Sequence, residues 1–222
     1  PDIYLAVKEP DNYRNGHVTE TLWSVWPTWE SWNWSGWENK TIEAEIYTKA
    51  PKVRLYLNDS LVAERNVSMA SQYKAVIPLQ YQPGTLKAVS LDADGNEVKE
   101  SILRTSGMPA AIRLTPDRKQ IHANGQDLAY VTLEVTDAKG NVVSDADIQL
   151  TVSVYGKASL LAAASANLKD IEPKTSANVT TYKGRAIIVV KSGMNAGKAT
   201  IKASSANQAI SGTTAVSVMA QR

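Results

Sequence analysis

Thr41-Ile42-Glu43-Ala44-Glu45-Ile46-Tyr47-Thr48 alternates apolar and polar side chains with period two. An extended backbone sends successive side chains to opposite faces, so Ile42, Ala44 and Ile46 share one face and Glu43 and Glu45 the other. The helical period fits neither set, and the stretch reads as a half-buried antiparallel strand. Lys52-Val-Arg-Leu-Tyr-Leu57 repeats the pattern, with Val53, Leu55 and Leu57 inward and Lys52, Arg54 and Tyr56 outward. Asn58-Asp59-Ser60 then turns the chain into Leu61–Val67.

The same punctuation continues in both directions. Tyr73–Leu79 and Thr85–Asp92 are strands separated by Gln82-Pro83-Gly84, whose Pro-Gly pair suits a type II turn. Asp94-Gly95 lies between Leu86–Leu91 and Val98–Leu103, a strong short-range hairpin signal. Asp92-Ala-Asp-Gly-Asn-Glu-Val98 resembles Asp137-Ala-Lys-Gly-Asn-Val-Val143, a repeat of hairpin geometry rather than a duplication. Thr105-Ser-Gly-Met-Pro109 punctuates the chain and reads as a boundary. It gives a first domain of residues 1–106, a Trp-rich segment plus a β-sandwich, and a second sandwich of residues 107–222. Strands of the second are expected near 110–115, 128–136, 147–155, 185–191, 198–203 and 213–219. Residues 158–168 are open between a short helix, for which their propensity is high, and a small-residue strand leading into a loop at 169–179. Ile3–Val7 is a further strand candidate, followed by a polar loop through Asp11-Asn-Tyr-Arg-Asn-Gly16. That opening is expected to complete a structure begun before Pro1.

Composition excludes several classes. The 222 residues are 43% hydrophobic and 21% charged, as in ordinary globular proteins, and long enough for two cores. With 24 basic against 22 acidic residues and a net charge of +2, there is no electrostatic case for a nucleic-acid partner or an acidic membrane surface. No run approaches the roughly 18 apolar residues that insertion across a bilayer needs. The absence of Cys excludes disulfides, zinc–thiolate sites and thiol catalysis. The start at Pro1, without Met or a signal-like segment, reads as a fragment with its targeting information elsewhere.

Candidate chemistry is scarce. Only His17 and His122 could serve a nucleophile as base, and both lie in turn-like contexts. Asp92-x-Asp94-Gly-Asn96-Glu97 superficially resembles a calcium loop but lacks the twelve-residue ligand pattern, and Asp145-Ala-Asp147 is weaker still. Glycoside hydrolysis needs two carboxylates held about 5–10 Å apart across a sugar. The acidic residues here fall on outward strand positions or in turns. No catalytic residue, metal site or cofactor is expected.

All six tryptophans lie between Trp23 and Trp37, in the run WSVWPTWESWNWSGW. Pro27 and Gly36 oppose a regular helix there, and Trp32 and Trp34 alternate as on a strand. Indole rings are large core pieces and also good platforms for sugar rings. Two readings stay open for Trp29, Trp32, Trp34 and Trp37: packing in the core or against a neighbouring domain, or stacking on carbohydrate.

A family resemblance joins these pieces. Thr28-Trp-Glu-Ser-Trp-Asn-Trp-Ser-Gly-Trp-Glu-Asn-Lys40, followed by Val53-Arg-Leu-Tyr-Leu-Asn58 and Tyr81-Gln-Pro-Gly-Thr-Leu-Lys-Ala88, resembles the domain after the catalytic barrel in β-galactosidase-like family 2 glycoside hydrolases. Pro109–Thr115, Ala123–Val131, Val135–Val142 and Gly184–Ile188 are similar to the terminal immunoglobulin-like domain of those enzymes, itself similar to invasin-type modules. The resemblance implies an all-β fold of two consecutive immunoglobulin-like sandwiches. It further implies a non-catalytic accessory region, a catalytic barrel of the same parent chain as partner, oligo- or polysaccharide as a possible ligand, and a periplasmic or cell-surface setting in a Bacteroidetes-like bacterium. The family's catalytic glutamates lie on the barrel, and Asn96-Glu97 does not inherit that role from a hairpin. Ala162-Ala-Ala-Ser-Ala-Asn167 stands where many relatives carry a more acidic, Asn-rich loop, which argues against a ligand or ion role at that place.

Overall fold

The computed structural model describes residues 2–13, 16, 27–206 and 209–220. His17, Trp23 and Trp26 lie outside these residues. The chain divides into two compact units, Pro1–Thr105 and Ser106–Arg222, each with its own core. No α-helix occurs among the described residues.

The first unit is a sandwich of two four-stranded sheets. Its strands are β1 (Ile3–Lys8), β2 (Thr28–Trp29), β3 (Thr41–Thr48), β4 (Lys52–Leu57), β5 (Ser60–Asn66), β6 (Lys74–Gln80), β7 (Thr85–Leu91) and β8 (Glu97–Arg104). One sheet runs β2-β1-β3-β6 and the other β5-β4-β7-β8. Period-two patterning sets the core: Ile42, Ala44 and Ile46 from β3, Ala75, Ile77 and Leu79 from β6, and Val53 and Leu55 from β4 are all buried. Asn58 and Asp59 both take left-handed backbone angles, φ 49° and 64°, and join β4 to β5 in a two-residue turn. One outward residue departs from expectation. Glu45 is only 1% exposed, because its carboxylate accepts from Lys74 Nζ at 2.8 Å and from the Tyr47 hydroxyl. Alternation correctly assigns Glu45 to the outer face; a cation one strand away is what lets a carboxylate be buried there. Burial, together with that carboxylate, pushes the Tyr47 phenol above its ordinary range.

The second unit pairs a five-stranded and a four-stranded sheet. Its strands are β9 (Ala111–Pro116), β10 (Gln120–His122), β11 (Leu128–Thr136), β12 (Gln149–Gly156), β13 (Ala158–Ala164), β14 (Asn178–Thr180), β15 (Arg185–Ser192), β16 (Gly197–Ser205) and β17 (Ser211–Met219). The sheet orders are β10-β17-β16-β12-β14 and β13-β15-β11-β9. All pairings are antiparallel except β10 with β17. Ala129, Val131, Leu133 and Val135 face Ala199, Ile201 and Ala203 from the opposite sheet within one buried cluster. Each unit is thus an immunoglobulin-like β-sandwich.

Residues 158–164 settle as a strand. Only Lys157 separates β12 from β13, so the chain crosses directly from one sheet to the other and has no length in which to begin a helix. Pairing with β15 then buries Ala163 and seats Leu160 against the core, with a register shift that turns out Leu161. Sheet pairing overrides helix propensity here.

Candidate functional site

Unit 1 gathers Trp32, Trp34 and Trp37, three of its four described tryptophans, around Tyr13 and Tyr81. Trp32 and Trp34 are each 1% exposed and belong to the core, whereas Trp29 and Trp37 are half-buried at its margin. The segment is not a strand, and Ser31 and Asn33 are buried beside the two indoles, so strand-like alternation does not account for the pair. Trp32 Nε1 donates to the Gln82 carbonyl at 2.9 Å, and Trp34 Nε1 to the Ser31 carbonyl at 3.2 Å, so neither buried N–H is orphaned.

Tyr81 continues the inward series Ala75, Ile77, Leu79 of β6 and is 1% exposed. Its ring meets Trp32 edge-on at 4.9 Å and 68°. Its hydroxyl donates to the Trp32 carbonyl at 3.2 Å and accepts from the Trp34 amide at 3.2 Å. Thr105 Oγ1 donates to the same Trp32 carbonyl at 2.8 Å and accepts from the Gly84 amide at 3.0 Å. An irregular backbone, bearing polar groups that a sheet ladder would have satisfied, is thereby stitched into the core by side chains. Tyr13 lies edge-on to Trp34 at 5.1 Å and to Trp37 at 6.2 Å.

The two marginal rings are also fixed. Trp29 pairs opposite Val7, and its Nε1 donates to Glu9 Oε2 at 2.6 Å. Trp37 closes a turn through its amide to the Trp34 carbonyl at 2.9 Å, its Nε1 donates to the Thr41 carbonyl at 2.9 Å, and Lys40 Nζ stands 4.5 Å from its ring centre. Tyr13, Tyr81 and Thr105 complete a cluster in which the sequence singled out only the indoles. Extending the β6 alternation by one step would have found Tyr81; nothing local marks Tyr13 or Thr105.

The remaining candidates are occupied structurally. Asp92 accepts from the amides of Asp94 at 3.0 Å and Asn96 at 2.8 Å and from Asn96 Nδ2 at 3.2 Å. Asp137 makes the equivalent bonds to Lys139 and Asn141, each amide at 2.9 Å, and to Asn141 Nδ2 at 3.0 Å. The two similar segments are the same turn, and both carboxylates serve backbone amides. Asp137 also accepts from the Gly107 amide at 2.8 Å, which is the first cause of a pKa lowered to about 2. His122 ends β10 rather than a turn, and its own amide donates to Asp127 Oδ2 at 2.7 Å. No group of three His, Cys, Asp or Glu suited to a metal ion occurs among the described residues. An open groove of about 340 Å³ is lined by Leu57, Asn58, Ser60, Val62, Leu79, Gln80 and Gln82, none of which can act as acid or base at neutral pH.

Comparison with known proteins places this architecture. Residues 112–213 match the family described as glycoside hydrolase family 2 C-terminal domain 5, and residues 39–99 match a domain of unknown function, DUF4982. The β-galactosidase BoGH2A of Bacteroides ovatus is 31% identical over 159 residues, covering 72% of this chain and 18% of that protein. The chain is similar to the C-terminal region of family 2 glycoside hydrolases. A family 2 member from Bacteroides cellulosilyticus superposes on 99% of this chain with a TM-score of 0.84 and 28% identity, using 28% of its own length. A β-galactosidase of Thermoanaerobacter pseudethanolicus is 25% identical over 175 residues, covering 72% of this chain and 22% of its own. The chain therefore spans about a fifth of the length of the curated relatives it matches.

Proposed function

We propose that this chain is a non-catalytic accessory region of a larger bacterial family 2 glycoside hydrolase of β-galactosidase type. It packs on the catalytic barrel of the same parent chain and helps to shape the substrate cleft. The observation that carries this reading is the superposition of nearly the whole chain on 28% of the Bacteroides cellulosilyticus enzyme, which leaves most of that enzyme without a counterpart here. The aromatic cluster supports it in physical terms. Trp32 and Trp34 make the segment rigid, and Trp29 and Trp37 are held at its margin by directed hydrogen bonds, where they offer apolar edges to a neighbouring surface. The setting proposed is the periplasm or cell surface of a Bacteroidetes-like bacterium.

A second reading uses the same marginal rings as a carbohydrate platform. Half-exposed Trp29 and Trp37 favour it; Lys40 against Trp37 narrows the ring area open to a sugar. One comparison separates the two. In the full-length parent, Trp29→Ala and Trp37→Ala are expected to lower the thermal midpoint of the barrel or raise KM for an aryl β-galactoside, with no change in Trp fluorescence of this chain on titration with galacto-oligosaccharides. Saturable fluorescence quenching by those sugars, with the parent's kinetics unchanged, would favour the platform. Hydrolysis of the aryl galactoside by this chain alone would overturn both.

A further inference from the structure

We propose that the four methionines of this chain are surface oxidation sites, taking up peroxide- and hypohalous-acid-class oxidants ahead of the half-exposed Trp29 and Trp37. All four methionines face solvent: Met69 is 77% exposed, Met108 84%, Met194 72% and Met219 44%. Methionine is ordinarily a flexible filler of core gaps. Here neither core cluster contains one, and the chain has no Cys. Each position has a local cause. Met69 opens a 3₁₀ turn with no buried residue, and Met194 lies in the turn between β15 and β16. Met219 is the outward neighbour of buried Val218 on β17, and Met108 lies in the Gly-Met-Pro segment ahead of β9.

The chemistry is a two-electron oxygen transfer. The thioether sulfur donates a lone pair to one hydroperoxide oxygen, the O–O bond breaks, and the leaving hydroxide or alkoxide takes a proton. The products are a sulfoxide and water or an alcohol. With hypochlorous acid the sulfur attacks chlorine as the O–Cl bond breaks and hydroxide leaves; water then displaces chloride from the chlorosulfonium and releases two protons, one of which neutralises that hydroxide, and the same sulfoxide results. In a core the sulfoxide would introduce a polar, chiral group and break packing. At these four positions it projects into water, so the fold is expected to survive complete conversion. Trp32 and Trp34, the oxidisable rings of the core, are 1% exposed and lie behind protein atoms.

The test uses this chain and a variant carrying Met69→Leu, Met108→Leu, Met194→Leu and Met219→Leu. Excess hydrogen peroxide should add one oxygen at each methionine by peptide mass mapping. The thermal midpoint should move by less than about 4 °C, the shift that roughly 1 kcal/mol would produce in domains of this size. On titration with hypochlorous acid, oxidation of the half-exposed Trp29 and Trp37, read by peptide mapping, should begin only after the methionines are consumed in the wild type, and from the first additions in the variant. A methionine left unreacted, a larger fall in midpoint, or identical tryptophan oxidation in the two proteins would overturn the proposal. A variant melting as the wild type does would confirm that the substitutions leave the fold intact; if it melts lower, single Met→Leu variants carry the same comparison.

Discussion

Tyr81 and Trp32 grip each other twice, ring edge to ring face at 4.9 Å and hydroxyl to backbone carbonyl at 3.2 Å. They stand 49 residues apart in the chain. The contact ties the irregular tryptophan segment to the end of β6, and the same hydroxyl receives the Trp34 amide. Tyr81→Phe keeps the ring and removes both bonds. It is expected to destabilise unit 1 by about 1–3 kcal/mol, the range for buried polar groups losing a partner. Urea titration followed by Trp fluorescence reads it directly, and an unchanged midpoint would mean that the hydroxyl is energetically idle.

Trp32 and Trp37 differ in burial and should differ in consequence. Trp32→Ala opens a cavity in the core and is expected to cost about 3–5 kcal/mol, as for other large-to-small aromatic changes. Trp37→Ala, at the margin, should cost clearly less. Equal losses in thermal melts of the two variants would contradict this placement of the rings.

Asp137 should make unit 2 sensitive to acid. The Gly107 amide, with those of Asn141 and Lys139, holds its folded pKa near about 2, below the ordinary value of 3.8. A depressed carboxylate stabilises the fold above its unfolded pKa and ceases to do so as pH falls through the folded one. Asp137→Asn should therefore cost about 2 kcal/mol at neutral pH, where charge-assisted bonds are lost. The gap from wild type should close as the pH drops from about 4 to about 2. Melts at intervals across that range check the sign. A gap that widens on acidification would refute it. Asp92→Asn, in the same turn but without a counterpart of the Gly107 bond, should cost less.

Two turn glycines provide a matched pair. Gly184 and Gly95 both have positive φ, 73° and 86°, which an L side chain resists. A Cβ at Gly184 would also stand 2.3 Å from the Val143 carbonyl oxygen, whereas one at Gly95 would meet nothing within 4 Å. Gly95→Ala is expected to cost about 1 kcal/mol, the conformational penalty alone, and Gly184→Ala about 2–3 kcal/mol. Chemical denaturation of the two single variants would test the order.

Much of the fold was legible because sheet formation writes a local pattern. The strands Thr41–Thr48, Lys52–Leu57 and Leu128–Thr136 have the same ends in the sequence and in the structure, since alternation and turn residues coincide there. The Asp92 and Asp137 turns were legible for the same reason: their bonds span four residues at most, apart from the one Asp137 makes to Gly107. The short strands β2, β10 and β14 carry two or three residues each, too few to show any period. The helix propensity of residues 158–168 could be resolved only by β15, which is distant in sequence and pairs with this stretch.

The amino-acid order by itself determined the two all-β units, the inner and outer faces of their main strands, the absence of thiol chemistry and the resemblance to family 2 glycoside hydrolases. Tertiary structure alone decided which indoles are buried, that Glu45 is buried against Lys74 on the outer face, and that Tyr81 and Thr105 share the Trp32 carbonyl. The reason is range. Periodicity and turn chemistry act over a few neighbouring residues, whereas burial and hydrogen-bond pairing depend on which segments the folded chain brings within a few ångströms of one another.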